Sequence, residues 1–242
     1  KDKNNKLRKS YDEIMVPSYA PAEFIPKKAQ GSYVWDQDNK EYIDFGGGIA
    51  VNCLGHSAPE LREILIKQSN NIWHLSNFLA NKPAIDLACS LTNLTFADRV
   101  FFCNSGSESN EAAIKIARRF HHEKNDKKKE IIAFTNSFHG RSLLNITLSG
   151  SDSFKLGFGP FPKSILHATF NDLESVNKVI SENTAAVIVE PIQGESGIYP
   201  ADKVFLKGLR KICDKNNIVL IFDEIQSGIG RTGHLYSYMG YE

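Results

Sequence analysis

The apolar positions change rhythm near Arg99. Before it, Tyr33-Val34-Trp35-Asp36 and Tyr42-Ile43-Asp44 flank the polar residues Gln37 to Asn39, which predicts a β-hairpin after an extended arm punctuated by Pro17, Pro21 and Pro26. Apolar residues then recur at helical spacing over 59–68 (Leu61, Ile64, Leu65) and 83–94 (Ile85, Leu87, Ala88, Leu91), each with a proline in the first turn. From Arg99 onward, strand-like and helix-like stretches alternate. Strands are predicted over 99–103, 130–134, 185–190 and 217–222, and helices over 108–121, 172–181 and 202–215. That alternation predicts an α/β domain with a mostly parallel sheet and helical crossovers. The Gly- and Ser-rich stretch 149–163 reads as its main long loop.

The last predicted strand organises the rest. Ile218-Val219-Leu220-Ile221-Phe222 is apolar without interruption, as in a strand buried on both faces, and it runs into Asp223-Glu224-Ile225-Gln226. A carboxylate at the carboxyl end of a buried strand needs a cation. One candidate is magnesium beside a nucleotide, but that requires a G-x-x-x-x-G-K-[ST] loop, and in 157–164 Pro162 stands where the second glycine belongs. The other is the protonated ring nitrogen of a heterocyclic cofactor. Gly228-Ile229-Gly230-Arg231-Thr232-Gly233 matches a dinucleotide fingerprint, although it begins several residues after the strand.

Composition narrows the partners. A formal net charge of +1 over 242 residues provides no global field for nucleic acid or an anionic membrane, so small-molecule chemistry is the default. The lysine-rich start has no apolar centre of the kind a signal peptide carries, and a cytoplasmic location is expected. Four cysteines without a C-x-x-C pair read as small buried residues of a reduced chain. The histidines, His121 and His122 included, lack metal-ligand spacing and read as surface or packing residues.

Further polar clusters fall where predicted strands end. Asn104-Ser105-Gly106-Ser107-Glu108 joins a strand to a helix, with Ser105 and Glu108 in capping-box register and Ala113, Ile116, Ala117 and Phe120 as the apolar face. Its free N–H groups suit either a plain cap or a phosphate. Phe138-His139-Gly140-Arg141 offers an aromatic face and a fixed cation, and Glu190-Pro191-Ile192-Gln193-Gly194-Glu195 brings two acids. Gly46-Gly47-Gly48 reads as a flexible turn or a place of close backbone approach.

Together, Asn104-Ser105-Gly106-Ser107-Glu108-x-Asn110-Glu111, Phe138-His139-Gly140-Arg141, Glu190 to Glu195 and Asp223-Glu224-Ile225-Gln226-x-Gly228-x-x-Arg231-Thr232-Gly233 resemble the class III aminotransferases. Trp35-Asp36, Tyr42-Ile43-Asp44-Phe45, Gly55-His56, Trp73-His74 and Phe158-Gly159-Pro160 look most like their acetylornithine branch, which often also serves succinyldiaminopimelate. The resemblance implies a fold-type I scaffold for pyridoxal 5'-phosphate, with 1–58 as arm and hairpin, part of a small domain, and 59–242 as an incomplete cofactor-binding domain. It implies Ser105, Gly106 and Ser107 around the cofactor phosphate, Phe138 and Ile225 on the two ring faces, Asp223 at the pyridinium and Gln226 at the ring hydroxyl. It also implies Arg141 at the substrate carboxylate, Glu195 as the acid that accommodates both an ω-amine donor and glutamate, and Tyr19 as a substrate contact.

The departures are mild: Ser107 for the usual threonine, Ser109 and Ser196 for common alanine and glycine, and Ala58 for a second histidine. The resemblance places the Schiff-base lysine and the C-terminal small domain beyond Glu242. The chain as given is therefore expected to lack its catalyst, and the complete protein to be a homodimer transferring an amino group between N-acetylornithine or N-succinyldiaminopimelate and 2-oxoglutarate, in arginine or lysine biosynthesis. Ornithine or 4-aminobutyrate aminotransferase, or a truncated cofactor-binding or dimerising module, are the alternatives.

Overall fold

The computed structural model describes residues 2–241, and the chain divides into two compact units, Lys1–Asp98 and Arg99–Glu242. The boundary expected between residues 58 and 59 falls inside the first unit.

The first unit opens with helix α1 (Asp2–Ile14), formed by the lysine-rich start. Arg8 pairs with Asp12 one turn on and donates from Nη1 to the carbonyls of Pro21 and Ala22, each at 2.7 Å, fastening the helix to the extended arm. Strands β1 (Pro26–Gln30), β2 (Tyr33–Asp36) and β3 (Glu41–Ile43) form an antiparallel sheet in that order. The predicted hairpin is β2–β3. Its turn is closed by Asp36, which accepts from the Asp38 and Lys40 N–H groups and the Tyr42 hydroxyl, all at 2.9 Å. The glycine run forms a single turn, α2 (Gly47–Ala50), in which Gly48 and Ile49 are left-handed.

Helices α3 (Pro59–Ser69) and α4 (Lys82–Leu94) fall where the periodicity placed them. Asn81 caps α4, its side chain accepting from the Ala84 N–H at 2.9 Å. Their apolar residues Leu61, Ile64, Leu65, Ile85 and Leu87 are exposed in this chain.

The second unit holds α5 (Gly106–Glu123), β4 (Glu130–Phe134), α6 (Leu143–Leu148), β5 (Ile165–Ala168), α7 (Leu173–Val179) and β6 (Thr184–Val189). The two-residue strands β7 (Ile192–Gln193) and β8 (Tyr199–Pro200) pair with each other, and α8 (Lys203–Asn216) and β9 (Val219–Phe222) follow. The main sheet is parallel, in the order β5-β4-β6-β9.

Side chains alternate across this sheet. Ile131, Ala133, Ala186 and Ile188 pack with Ile114 and Ala117 of α5 and Leu148 of α6. On the other face, Ile132, Phe134, Val187 and Val189 pack with Val176 of α7 and Phe205, Leu206, Leu209 and Cys213 of α8. Helices thus cover both faces, as an α/β parallel sheet requires. Helix α8 stops at Asn217, whose left-handed backbone (φ 51°) returns its N–H to the Asp214 and Cys213 carbonyls and turns the chain into β9.

Several expectations are corrected. Residues 99–103 pair with no described strand, and Phe101 and Phe102 are 73% and 46% exposed: the residue types favour a strand, but a strand needs a ladder partner. Strand β9 feeds both cores, yet each of its residues is only half-buried because, among the described residues, it pairs on one side with β6 alone. The fully buried strand is β6. Helix α5 buries Asn110, Ile114, Ala117 and His121, whereas Ile116 and Phe120 are 60% and 41% exposed. Of the cysteines, Cys213 alone is buried; Cys53 and Cys89 are exposed.

Candidate active site

Strands β4, β6 and β9 are neighbours and run parallel, so their carboxyl ends open at one edge. There the chain delivers the Phe138-to-Arg141 loop after β4, Glu190 after β6 and Asp223 after β9. This is the edge at which parallel α/β sheets bind ligands.

Asp223 is the best-organised group. Its carboxylate is buried and accepts from His139 Nδ1 at 2.7 Å and Asn110 Nδ2 at 2.8 Å on Oδ2, and from the Ile225 N–H at 3.1 Å on Oδ1. Burial pushes its pKa up, but the hydrogen bonds and the charge of His139, with the Asn110 and Ile225 bonds, outweigh this and hold it below the ordinary carboxylate value. Asp223 is therefore an anion at neutral pH. A carboxylate has about four acceptor positions, so the three bonds leave one on Oδ1 for a cationic N–H. The sequence reading quoted Asn110 and His139 within motifs and gave them no role. The available signal was a polar residue, Asn110, in helical register with Ile114, Ala117 and His121, inside the buried stripe of α5.

The start of α5 faces this carboxylate's loop. Ser105 caps the helix by accepting from the Glu108 N–H at 3.2 Å, and Glu108 Oε2 reaches back to the Asn104 N–H at 2.6 Å, completing a box one residue earlier than the standard register. A Cβ on Gly106 would lie 2.9 Å from Ile225, so the absence of a side chain lets the helix start and the segment after β9 meet. Ser107 Oγ accepts from the Arg141 N–H at 3.1 Å, and Asn145 Nδ2 donates to the Ser107 carbonyl at 2.9 Å. Gly140 has φ +120°, and a Cβ there would overlap Ser107 Oγ.

Phe138 is half-buried, supported edge-on by Phe154 at 5.9 Å, with the Arg141 guanidinium 5.7 Å from its ring centre. Ile225 is 63% exposed. Gln226 lies along Gly194, where a Cβ would overlap Gln226 Oε1. The structure thus brings together Ser105, Gly106, Ser107, Phe138, Arg141, Asp223, Ile225 and Gln226. Glu195 is exposed beside them, electrostatically coupled to Glu190, while Tyr19 belongs to the first unit and is exposed.

Glu190 is a further group that sequence reasoning left without a role. It is buried, and its Oε2 accepts from the Phe138 N–H at 3.1 Å. Burial, with the negative charges of Asp223 and Glu195, overcomes that bond and raises its pKa to about 8. Two neighbouring carboxyl groups are therefore driven apart, one anionic and one neutral.

The other ligand readings lack their structural context. Residues 157–164 lead into β5 rather than a helix, so no phosphate loop forms there. Gly228 to Gly233 lie in successive turns, not at a strand-to-helix junction. Among the described residues, no helix is long and apolar enough to cross a membrane.

Comparison with known proteins agrees with this arrangement. The chain is 55% identical over 235 residues to a succinylornithine transaminase of Salmonella paratyphi B, covering 97% of this chain and 58% of that protein. It thus spans a little over half the length of the curated relatives it matches. Its structure is similar to an ornithine aminotransferase from Toxoplasma gondii that carries partially occupied PLP at its active site (TM-score 0.94, 28% identity, 99% of this chain and 57% of that one). It is similar also to an N-acetylornithine aminotransferase from Stenotrophomonas maltophilia (TM-score 0.79, 37% identity, 92% and 56%). The class-III aminotransferase family profile matches residues 14–242, so the chain that sets Asp223 between His139 and Asn110 belongs to the class-III aminotransferases.

Proposed function

We propose that the protein carrying this chain transfers an amino group between an N-acylated ω-amino donor and 2-oxoglutarate, with pyridoxal 5'-phosphate as cofactor. N-acetylornithine, N-succinylornithine and N-succinyldiaminopimelate are the donors this reading covers. Arginine- or lysine-related metabolism is its setting. The observation that carries the reading is Asp223, a buried anion fixed by three donors with one acceptor position left, tied through His139 to the Phe138-to-Arg141 loop and through Asn110 to α5.

The chemistry supplied by the cofactor is an electron sink for the pair released when a substrate C–H bond breaks. Asp223 keeps the ring nitrogen protonated by offering it a full negative charge in a low-dielectric setting. Ser105, Gly106 and Ser107 hold the phosphate through helix N–H groups and hydroxyls, on the positive end of the α5 dipole. Phe138 and Ile225 flank the ring, and Gln226 meets its hydroxyl. Arg141 holds a substrate carboxylate, Glu195 accommodates the two kinds of substrate, and Tyr19 is proposed as a further contact.

The names of the relatives support an acylated ornithine as donor. The likeness to an ornithine aminotransferase supports a second reading, a free diamine donor. Both are tested with the protein expressed from its whole coding region. Its mass after borohydride reduction is expected to include a pyridoxyl group, and acylated ornithine is expected to change its visible absorption faster than free ornithine. No adduct and no spectral change with either donor would sink the proposal; a faster change with free ornithine would select the second reading. A homodimer is proposed, and light scattering decides it.

A further inference from the structure

The loop that carries Arg141 is tied to the first turn of α5 at its backbone, through the Arg141 N–H on Ser107 Oγ. Two further bonds join the same helix to the residues just after Arg141. Ser142 Oγ donates to Glu111 Oε1 at 2.6 Å, and Asn145 Nδ2 donates to the Ser107 carbonyl at 2.9 Å. Ser142 also caps α6, accepting from the Asn145 N–H at 3.4 Å, so the two ties are themselves linked. Gly140 closes the arrangement from the other side, since a Cβ there would overlap Ser107 Oγ and lie 3.2 Å from Asn145 Nδ2.

Asn145 is the odd member of this set. It is fully buried, and its Oδ1 has no hydrogen-bond partner. Its Nδ2 goes to a carbonyl in the first turn of α5, which the helix's own ladder also engages. Stability alone gives little reason for an amide here: a leucine, with the same number and branching of side-chain atoms, would remove an orphaned oxygen and strand no acceptor. What the amide supplies is a fixed join between two helix starts. We infer that Asn145 is a positioning residue for Arg141: its amide seats the start of α6 on Ser107, which fixes the Arg141 backbone and with it the guanidinium beside Phe138. The Ser142–Glu111 bond shares that task from the partly exposed side. The inference rests on the reading above in one respect, that Arg141 meets a substrate carboxylate.

The test uses the full-length protein as isolated and reads the backbone first. Amide hydrogen exchange at Arg141 is compared with that at Ile131, whose N–H is bonded to the Ser164 carbonyl in the main sheet. Asn145→Leu is expected to raise exchange at Arg141 about tenfold, the loss of roughly one hydrogen bond, and to leave Ile131 unchanged. Glu111→Ala, at a position outside the core, is expected to raise it about threefold. Glu111→Gln, which keeps an oxygen acceptor for Ser142, is expected to restore the wild-type rate.

Steady-state kinetics then separate an effect through Arg141 from a general loosening. Asn145→Leu is expected to raise KM for 2-oxoglutarate about fivefold and to change kcat less than about twofold, the signature of weakened ground-state binding. In an Arg141→Ala background the same change is expected to add nothing, because the guanidinium it positions is absent. An equal KM increment in both backgrounds would overturn the inference. So would Arg141 exchange that stays at the wild-type rate in both Asn145→Leu and Glu111→Ala. If Arg141→Ala alone leaves KM unchanged for both substrates, the carboxylate reading fails, and the exchange rates still decide whether Asn145 holds Arg141.

Discussion

His139 Nδ1 lies 2.7 Å from Asp223 Oδ2, with both side chains sealed from solvent and the opposite ring nitrogen of His139 without a hydrogen-bond partner. The imidazole therefore has one polar task, donating to Asp223. Replacing it by leucine fills the space and leaves a buried carboxylate with one fewer donor. His139→Leu is expected to cost about 2–4 kcal/mol at neutral pH, the range for breaking a buried charged hydrogen bond. Because the folded-state pKa of Asp223 is depressed, its stabilisation is present above the unfolded value of 3.8 and lost as pH falls below it. In His139→Leu the folded-state pKa moves back up toward the unfolded value, so that acid loss should shrink. Urea denaturation between pH 3 and 7 measures both effects; an unchanged acid limb would refute the donor role.

Asp223 itself separates the charge from the shape. In the full-length protein, Asp223→Ala should reduce transamination about a hundredfold or more, while Asp223→Glu, which keeps the anion but lengthens its reach, should retain a larger share. Steady-state rates with acylated ornithine and 2-oxoglutarate provide the comparison. Equal rates in the two variants would remove the carboxylate from the ring-nitrogen role.

Gly150 and Gly194 make a contrast between folding and binding. A Cβ at Gly150 would run into the main chain at Phe134 and Thr135, which cannot give way. Gly150→Ala is expected to destabilise the domain by about 2 kcal/mol or more. At Gly194 the obstacle is the far end of the flexible Gln226 side chain. Gly194→Ala should leave the melting temperature nearly unchanged and weaken pyridoxal phosphate binding about five- to tenfold, one displaced hydrogen bond. Thermal unfolding and cofactor titration together check the pair, and a Gly194→Ala variant that melts as early as Gly150→Ala would contradict it.

Much of this was legible in the chain. Uninterrupted apolar runs marked β4, β6 and β9, and the capping pair Ser105 and Glu108 fixed the start of α5. What the pattern did not settle is instructive in physical terms. On α5 two stripes at helical spacing share Ala117: one runs through Ala113, Ile116 and Phe120, the other through Asn110, Ile114 and His121. Hydrophobicity favours the first, and the structure buries the second.

The reason is that Asn110 and His121 meet partners inside, Asp223 for one and the Ala185 carbonyl, at 3.0 Å, for the other. Those partners lie 113 and 64 residues away, beyond any local period. Residues 99–103 fail in the opposite sense: their types suit a strand, and no described strand pairs with them. Short β5 and α6 carry no expectation from the sequence, because their lengths of 4 and 6 residues give periodicity too little to work on.

The helix-covered face of the sheet provides a test of packing. Leu209 is fully buried between α8 and the strands, whereas Val204, on the same helix, is 78% exposed. Leu209→Ala is expected to cost about 2–5 kcal/mol through lost burial and a residual cavity, and Val204→Ala less than about 0.5 kcal/mol. Chemical denaturation of both variants decides it, and similar losses would mean that α8 docks by a different face.

Glu190 gives a stability prediction that needs no cofactor. Its folded pKa, about 8, lies above its ordinary value of 4.5, so between those values the folded chain keeps a proton that the unfolded chain releases. The contribution is full below the unfolded value and is lost as pH rises through the window, at about 1.4 kcal/mol per pH unit, until the folded group ionises as well. Glutamine has no such proton to lose. The stability of Glu190→Gln relative to wild type should therefore climb from pH 5 to pH 8 by a few kcal/mol and then level off. The opposite slope belongs to Asp223, whose depressed pKa makes itself felt only in acid, so the two acids are separable on one pH axis. Urea midpoints for wild type and Glu190→Gln at unit pH intervals provide the measurement. Parallel curves over that interval would show that Glu190 is already ionised in the folded chain.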